Sequence, residues 1–241
     1  MNTSGWPRLR ALIEIAAVFA GLVLLSGLIG SLIVPLLPAR LAMPVQALGL
    51  WGAVIAGAVL LQRAGSSYRD LGLRGPGSWR KTLGWAAAAL LLSSLGALAI
   101  GAAARAFTDW PPLEVGYIRS SIAGSPLAYA VWIVLVAWGS AAFGEELLAR
   151  GFLLNRFHTL FGGGRAALGA AVVAQAGVFG LLHAVQGPTG VVVTAYVGIV
   201  YAAIYLASGR NLWAPILAHG VQDTAALTIM FVGARLPGYI G

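Results

Sequence analysis

Two adjacent carboxylic acids in an apolar helical segment are the first sign of chemistry in this chain. Glu145 and Glu146 are followed four residues later by Arg150. Charged groups at membrane depth are costly, so ionisable residues there mark a functional site by default. The i, i+4 spacing, with the acid first, favours an ion pair between Glu146 and Arg150. Glu145 points about 100° away from Glu146 in an α-helix, so it stays free to act as a base.

Two of the chain's three histidines lie in apolar segments and have a partner at helical spacing. Phe179 precedes His183 by four residues, and Asp223 follows His219 by four. The second spacing puts imidazole and carboxylate on one helix face, where the carboxylate can hold the histidine in one tautomer. A pair of this kind can equally join two membrane helices by hydrogen bonding. A lone histidine such as His183 can be an ordinary packing residue.

The composition defines the elements that must position these side chains. Of 241 residues, 59% are apolar and 9% are charged, against about 25% charged in a soluble domain. Apolar runs of about 20 residues can span a bilayer and must then be helical. Seven such runs lie at roughly 11–37, 43–62, 82–104, 128–158, 166–186, 189–207 and 211–232. We therefore predict an all-α bundle of seven, or eight, transmembrane helices with an intramembrane polar cavity.

The chain is predicted to form one polytopic domain over residues 1–241, with a motif-bearing core at about 127–232. The absence of cysteine excludes disulfides and thiol catalysis. A net charge of +8 could suggest a nucleic-acid partner, but the placement of the charges indicates membrane orientation instead. No nucleic-acid partner is expected.

The basic residues are distributed asymmetrically along the predicted topology. With a cytoplasmic N-terminus, eleven of the fifteen Lys and Arg residues fall in inside segments: Arg8, Arg10, Arg63, Arg69, Arg74, Arg80, Lys81, Arg150, Arg156, Arg165 and Arg210. Four fall outside: Arg40, Arg105, Arg119 and Arg235. The positive-inside rule then predicts a cytoplasmic hairpin at 160–166 and an external loop at 105–126. We interpret that loop as an ordinary surface loop in preference to a lid. The expected location is the bacterial cytoplasmic membrane.

Helix geometry allows the polar groups to meet. With a rise of about 1.5 Å per residue, Glu145 lies roughly 22 Å from residue 160, and His183 lies roughly 26 Å from residue 166. The depths of both agree with that of His219 if the hairpin projects roughly 10 Å beyond a hydrocarbon core about 30 Å thick. We therefore expect Glu145, His183 and His219 to line one polar cavity.

The three patterns, in this order, resemble the motifs of the CPBP family, which contains type II CAAX prenyl endopeptidases and bacteriocin-processing membrane proteins. Two flanking segments are also similar to the family: residues 211–219, which read Asn-Leu-Trp-Ala-Pro-Ile-Leu-Ala-His, and residues 68–73, which read Tyr-Arg-Asp-Leu-Gly-Leu. The motifs cover about 140–225. The resemblance implies a multi-helix intramembrane protease whose polar cavity opens to the cytoplasm.

The resemblance also implies roles for individual residues. The catalytic positions correspond to Glu145, His183, His219 and Asp223, whereas Glu146, Arg150 and Phe179 complete the first two motifs. The family has Asn or Asp at the last position. An ionised Asp cannot donate a hydrogen bond to an oxyanion, so we expect Asp223 to orient His219 instead.

The favoured mechanism is peptide hydrolysis by an activated water, without a cofactor. Glu145 and His183 would hold the water, Glu145 would take its proton, and His219 would stabilise the oxyanion. The alternative is a zinc or other divalent metal ion held by Glu145, His183 and His219, since two histidines and one carboxylate are a known ligand set. The chain lacks a His-Glu-x-x-His motif, which favours the glutamic mechanism.

Two functions of other classes compete with proteolysis. A transporter or proton relay also places acids and histidines at membrane depth, but internal repeats and broken helices are not evident. A non-proteolytic membrane partner could keep the fold and lose a motif residue, yet every motif position is filled. The expected partners are the bilayer and a membrane-associated protein or peptide substrate. A prenylated tail, a leader peptide, a transmembrane anchor and a C-terminal tag are all compatible with the sequence.

Overall fold

The computed structural model describes residues 6–234, and every regular element in this part of the chain is a helix. Within residues 6–234, seven helices are long and apolar enough to cross a membrane. They are α1 (Trp6–Leu36), α2 (Ala39–Arg63), α3 (Trp79–Phe107), α4 (Pro126–Leu160), α5 (Gly164–Leu182), α6 (Ala184–Ala207) and α7 (Trp213–Gly233). The predicted all-α polytopic bundle is confirmed, and the chain is an integral membrane protein.

Local sequence signals set where the spans begin and turn. Ser78 precedes α3, and its hydroxyl accepts a hydrogen bond from the Lys81 amide at 3.4 Å. Ser125 precedes α4 and accepts from the Ala128 amide at 3.2 Å, so both serines are N-caps. Between α4 and α5 the chain turns through three glycines, residues 162–164, which all have positive φ. Only glycine adopts that conformation without strain, which explains the tight hairpin.

Successive helices run in opposite directions, so the segments between them collect at two opposite ends of the bundle. The first end, here the basic face, consists of the start of α1, the 64–78 loop, the 160–164 hairpin and the 208–212 turn. These segments are joined by direct contacts: Arg210 donates to Asn155 Oδ1 at 2.6 Å, and Arg156 forms an ion pair with Glu14. The second end, here the loop face, consists of residues 37–40, 108–125 and 183–187. Arg40 joins it by donating to the Ala123 carbonyl at 2.8 Å.

The 64–78 loop is anchored firmly onto the basic face. Tyr68 is almost completely buried and donates to the Val54 carbonyl at 3.2 Å. Burial raises the pKa of Tyr68, so the hydroxyl remains a donor up to strongly alkaline pH. The Asp70 carboxylate accepts from the Ser67 amide at 2.8 Å, and the serine hydrogen bonds lower the pKa of Asp70. Tyr205 on α6 closes the loop from the other side by donating to the Leu71 carbonyl at 2.8 Å.

Helix α4 packs against several of the other helices, and its backbone differs from the expected α-helix. Residues Trp132–Glu145 and Leu147–Leu153 make π-helical hydrogen bonds, which give a wider turn. A helix with wider turns advances less along its axis per residue than an α-helix does. The distance along α4 from residue 160 to Glu145 is therefore shorter than α-helical geometry predicted. All seven residues from Leu147 to Leu153 are buried. Arg150 is among them, so ten of the eleven predicted inside charges, not eleven, can lie at the basic face.

Candidate active site

The Glu145 carboxylate lies at the meeting point of three helices. Its Oε1 is 3.9 Å from His183 Nε2, and its Oε2 is 4.0 Å from His219 Nε2. Glu145 is on α4, His183 follows the last residue of α5, and His219 is on α7. The predicted convergence of these three side chains is therefore confirmed. Glu145 Oε2 is buried and makes no hydrogen bond within the described residues, so it has capacity for one further partner.

His183 is held by the end of its own helix. Its Nδ1 is 2.9 Å from the Phe179 carbonyl oxygen. A carbonyl only accepts, so Nδ1 carries the hydrogen and the Nε2 lone pair of the neutral ring is directed towards Glu145. The Phe179 ring packs on the imidazole with centroids 5.0 Å apart and also lies 4.6 Å from the Arg150 guanidinium carbon. The motif spacing of four residues thus fixes both the tautomer and the tilt of His183.

His219 is oriented by Glu146. Its Nδ1 is 3.0 Å from Glu146 Oε1, and the same oxygen accepts from Arg150 Nη1 at 2.7 Å. Glu146 and Arg150 are both fully buried. The predicted ion pair is confirmed, and Glu146 has a second function that the sequence did not indicate. The contact joins residues on different helices, so no spacing rule could have identified it.

Asp223 contacts the opposite side of the His219 ring. Its Oδ2 is 3.7 Å from His219 Nε2, so the two side chains share one helix face as predicted. This nitrogen also faces Glu145, whereas Nδ1 is bound by Glu146. The orienting role expected for Asp223 stays a prediction, because 3.7 Å is longer than a hydrogen bond and Glu146 already holds the imidazole by Nδ1. Asp223 adds negative charge beside Nε2.

Two cavities meet at Glu145. The apolar cavity, of about 330 Å³, lies among α1, α2, α4 and α5 and is lined by Leu22, Leu50, Leu148, Leu153 and Val178 together with Glu145. The polar cavity, of about 380 Å³, lies among α4, α6, α7 and the 113–118 segment. Its polar lining includes Glu145, His183, Thr194, His219, Gln222 and Asp223, together with Tyr117 and Gln186. Apolar side chains line most of both cavities, and the first is also lined by His183, Ser140 and Gln175, so the site adjoins two largely apolar spaces.

Four further polar residues near the site were not singled out from the sequence. Gln222 Oε1 accepts hydrogen bonds from Ser93 and Tyr201, and the Tyr201 ring packs edge-on against His219 with centroids 5.4 Å apart. Gln175 is fully buried on α5 and donates to the Gly198 carbonyl at 3.0 Å. A polar side chain inside an apolar helix was the available signal for Gln175 and Ser93, since a buried polar group requires a partner.

The donor set at the site suits a water molecule and also suits a metal ion. Two imidazoles and one carboxylate are one of the ligand sets of catalytic zinc, and a ligating histidine usually donates its other nitrogen to a carbonyl or carboxylate. His183 and His219 both do so, through Phe179 and Glu146. No group of three His, Asp or Glu side chains within residues 6–234 is drawn together as a preassembled metal site. The donor chemistry fits nonetheless, and gaps of 3.9 and 4.0 Å leave room for one bridging atom.

The segment that carries the motifs matches the model of a known protein family. Residues 126–225 match the family model described as type II CAAX prenyl endopeptidase Rce1-like. The matched segment contains all three motifs and confirms the family resemblance. It indicates an intramembrane protease whose substrate is a protein or peptide. No curated protein and no solved structure matches the chain.

Proposed function

We propose that the chain is an endopeptidase that uses a water activated by Glu145, a proposal supported by the match of residues 126–225 to the Rce1-like family model. The observation that carries the proposal is the gap between Glu145 and the two imidazoles, together with the unpartnered Glu145 Oε2. One water in that gap can hydrogen-bond to both Glu145 and His183, at about 2.8 Å from each. A peptide bond presented to this water would be hydrolysed inside the polar cavity.

The proposed reaction assigns one step to each side chain. Glu145 takes a proton from the water, and the resulting hydroxide attacks the scissile carbonyl carbon. His219 donates from Nε2 to the oxygen of the tetrahedral intermediate. Since Nδ1 is already donating to Glu146, His219 can do this only as an imidazolium, whose charge is offset by Glu146 and Asp223. Glu145 then returns its proton to the leaving amine, which completes the hydrolysis.

The buried pair of Glu146 and Arg150 acts through His219 in this proposal. Glu146 holds the imidazole by Nδ1, and Arg150 holds Glu146 while donating to the Gly198 carbonyl on α6 at 3.3 Å. The pair therefore ties α4, α6 and α7 together at the depth of the site. These two residues are positioning residues, because neither faces the gap beside Glu145.

The metal-dependent alternative uses the same residues. Glu145, His183 and His219 would hold the ion. When bound, zinc would act as a Lewis acid and generate hydroxide from water at neutral pH. The Nδ1 contacts of both histidines would serve this arrangement equally well, so only metal analysis separates it from the glutamic mechanism.

Peptide cleavage by the purified protein in proteoliposomes tests the proposal. The probes are a quenched fluorescent peptide with a farnesylated Cys near its C-terminus and the same peptide with Ser in place of that Cys. Mass spectrometry identifies the bond cut. We expect Glu145→Gln to reduce cleavage by about 10²-fold or more, whereas Asp109→Asn, an exposed acid on the loop face, should cleave at the wild-type rate. Wild-type activity in Glu145→Gln would refute the proposal.

A further inference from the structure

Two neighbouring hollows lie on the basic face, beside the start of α1. The first, of about 330 Å³, lies between α1 and the end of α2, and its apolar lining is Trp6, Leu9, Ile13 and Leu60. The second, of about 230 Å³, lies between α1 and α4 and is lined in part by Arg156 and Thr159. Arg10 and Glu14 line both hollows. None of these residues lines a cavity beside Glu145, so the hollows are separate from the candidate active site.

The charged side chains of the two hollows have a surplus of positive charge. Glu14 is buried, and its carboxylate forms ion pairs with Arg10 and Arg156. Arg63 lines the first hollow and forms no ion pair with any other residue in the range 6–234. Three guanidinium groups therefore surround a single carboxylate, which leaves a net charge of +2 for an anion to neutralise.

The apolar lining of the first hollow faces outwards from the bundle. Trp6, Leu9 and Ile13 are 71%, 50% and 58% exposed, and their spacing of three and four residues places them on one face of α1. Tryptophan is typical of the membrane–water interface. On α2, Leu60 lies about one turn deeper in the span than Arg63. The hollow therefore has apolar side chains towards the acyl chains of the bilayer and a guanidinium group towards the headgroups.

We propose that the two hollows bind one anionic phospholipid, with its phosphate at Arg10 and Arg63 and an acyl chain along the Leu9, Ile13 and Leu60 side chains. Guanidinium groups bind phosphate oxygens through paired, charge-assisted hydrogen bonds, and basic pockets between membrane helices bind anionic headgroups. The second hollow gives space for the rest of the headgroup. A headgroup with its own ammonium group fits poorly there, because Arg10 and Arg156 would repel it. The bound lipid joins α1, α2 and α4, and this site does not depend on the proposed protease function.

Lipid binding by the purified protein tests the proposal. The protein in detergent receives an equimolar mixture of phosphatidylglycerol and phosphatidylcholine, native mass spectrometry counts the bound lipids, and the midpoint of thermal unfolding is measured with and without each lipid. The test variant combines Arg10→Gln with Arg63→Gln. The matched control combines Arg74→Gln with Arg80→Gln, which removes two charges from exposed positions on the same face that line neither hollow.

We expect the wild type and the control to bind phosphatidylglycerol in preference to phosphatidylcholine, and the test variant to bind it about 30-fold more weakly. Bound lipid stabilises the folded state, so phosphatidylglycerol should raise the unfolding midpoint of the wild type and the control but not of the test variant. Equal weakening in the test and control variants would overturn the proposal, because attraction would then be spread over the whole basic face. Undiminished binding by the test variant, or equal binding of the two lipids by the wild type, would overturn it as well.

A second variant keeps the proposal testable if the glutamines impair folding. Arg10→Lys with Arg63→Lys retains both charges, and lysine also binds phosphate. We expect this variant to unfold near the wild-type temperature without lipid and to keep its preference for phosphatidylglycerol. A folded lysine variant without that preference would refute the site.

Discussion

Glu145 and Glu146 are adjacent and identical in type, but their surroundings differ. Glu146 is fully buried and satisfies both Arg150 and His219 through one oxygen. Each of the two carboxylates has one buried oxygen without a hydrogen bond, but of the two only Glu145 lines the cavities and has two imidazoles at the limit of direct contact. A carboxylate that is already neutralised is a poor base, whereas a carboxylate with an open position can accept a proton. The difference in contacts therefore indicates a structural role for Glu146 and a chemical role for Glu145.

Glu146→Gln should destabilise the protein much more than Glu145→Gln does. The substitution leaves the Arg150 charge buried without a counter-ion, which typically costs about 3–5 kcal/mol. We expect a clearly lower midpoint for thermal unfolding in detergent, while Glu145→Gln unfolds near the wild-type temperature. The double variant Glu146→Gln, Arg150→Met removes both charges and should regain part of the lost stability without regaining activity. Equal unfolding midpoints for the two single variants would contradict this separation of tasks.

Metal content distinguishes the two proposed mechanisms. In the glutamic mechanism, cleavage of the peptide probe should persist after dialysis against a chelator, and the active protein should carry far less than one equivalent of zinc by elemental analysis. Metal sites of this type lose activity to chelators and regain it with added metal. Two results together would establish the metal-dependent alternative. The chelator would remove activity reversibly, and the wild-type protein would hold about one equivalent of zinc whereas His183→Ala would hold none.

At the scale of elements, close helix contacts shape the site as much as its polar residues do. Helices α1 and α2 cross where Gly21 faces Gly52, and small residues let the two backbones approach. This contact sets the position of α1, whose residue Leu22 forms part of the apolar cavity wall. In α4, the wider π-helical turn still places Glu146 beside Arg150. The helix contacts therefore determine the cavity walls, and the motifs determine what faces the cavity.

Gly52→Ala should loosen the contact between α1 and α2. A Cβ at this position would overlap the Gly21 carbonyl oxygen, and overpacking of this kind typically costs about 1–3 kcal/mol. Gly27→Ala is the matched control, because Gly27 lies on α1 and a Cβ there meets no atom within 4 Å. We expect a lower unfolding midpoint for Gly52→Ala alone. The same midpoint in both variants would show that this crossing tolerates a side chain.

At the scale of the whole molecule, charge is concentrated at one end of the bundle and the site lies in its interior. Basic residues concentrate where the 64–78 loop and the 160–164 hairpin close the bundle. The polar cavity lies towards the other end, beneath the 108–125 segment, whereas the apolar cavity also reaches Leu148 and Leu153 on the basic-face side of Glu145. The positive-inside rule predicts that the basic end faces the cytoplasm.

The sequence by itself determined the class of the protein and most of its candidate site. Seven apolar runs predicted the seven spans to within a few residues; for example, 128–158 was expected for Pro126–Leu160. The i, i+4 spacings predicted the contacts of Glu146 with Arg150 and of His219 with Asp223. These predictions succeed because hydropathy and helical spacing are local properties that the helix geometry converts directly into position.

Only the tertiary structure decided how the motifs share their work and which residues form the walls around Glu145. The bond between Glu146 and His219 joins residues 73 positions apart, and the π-helical turns of α4 changed the rise on which the depth estimate depended. The two cavities beside Glu145 result from how side chains on separate helices pack. Packing depends on crossing positions and shapes that no local pattern encodes, so the cavities became visible only in the assembled bundle.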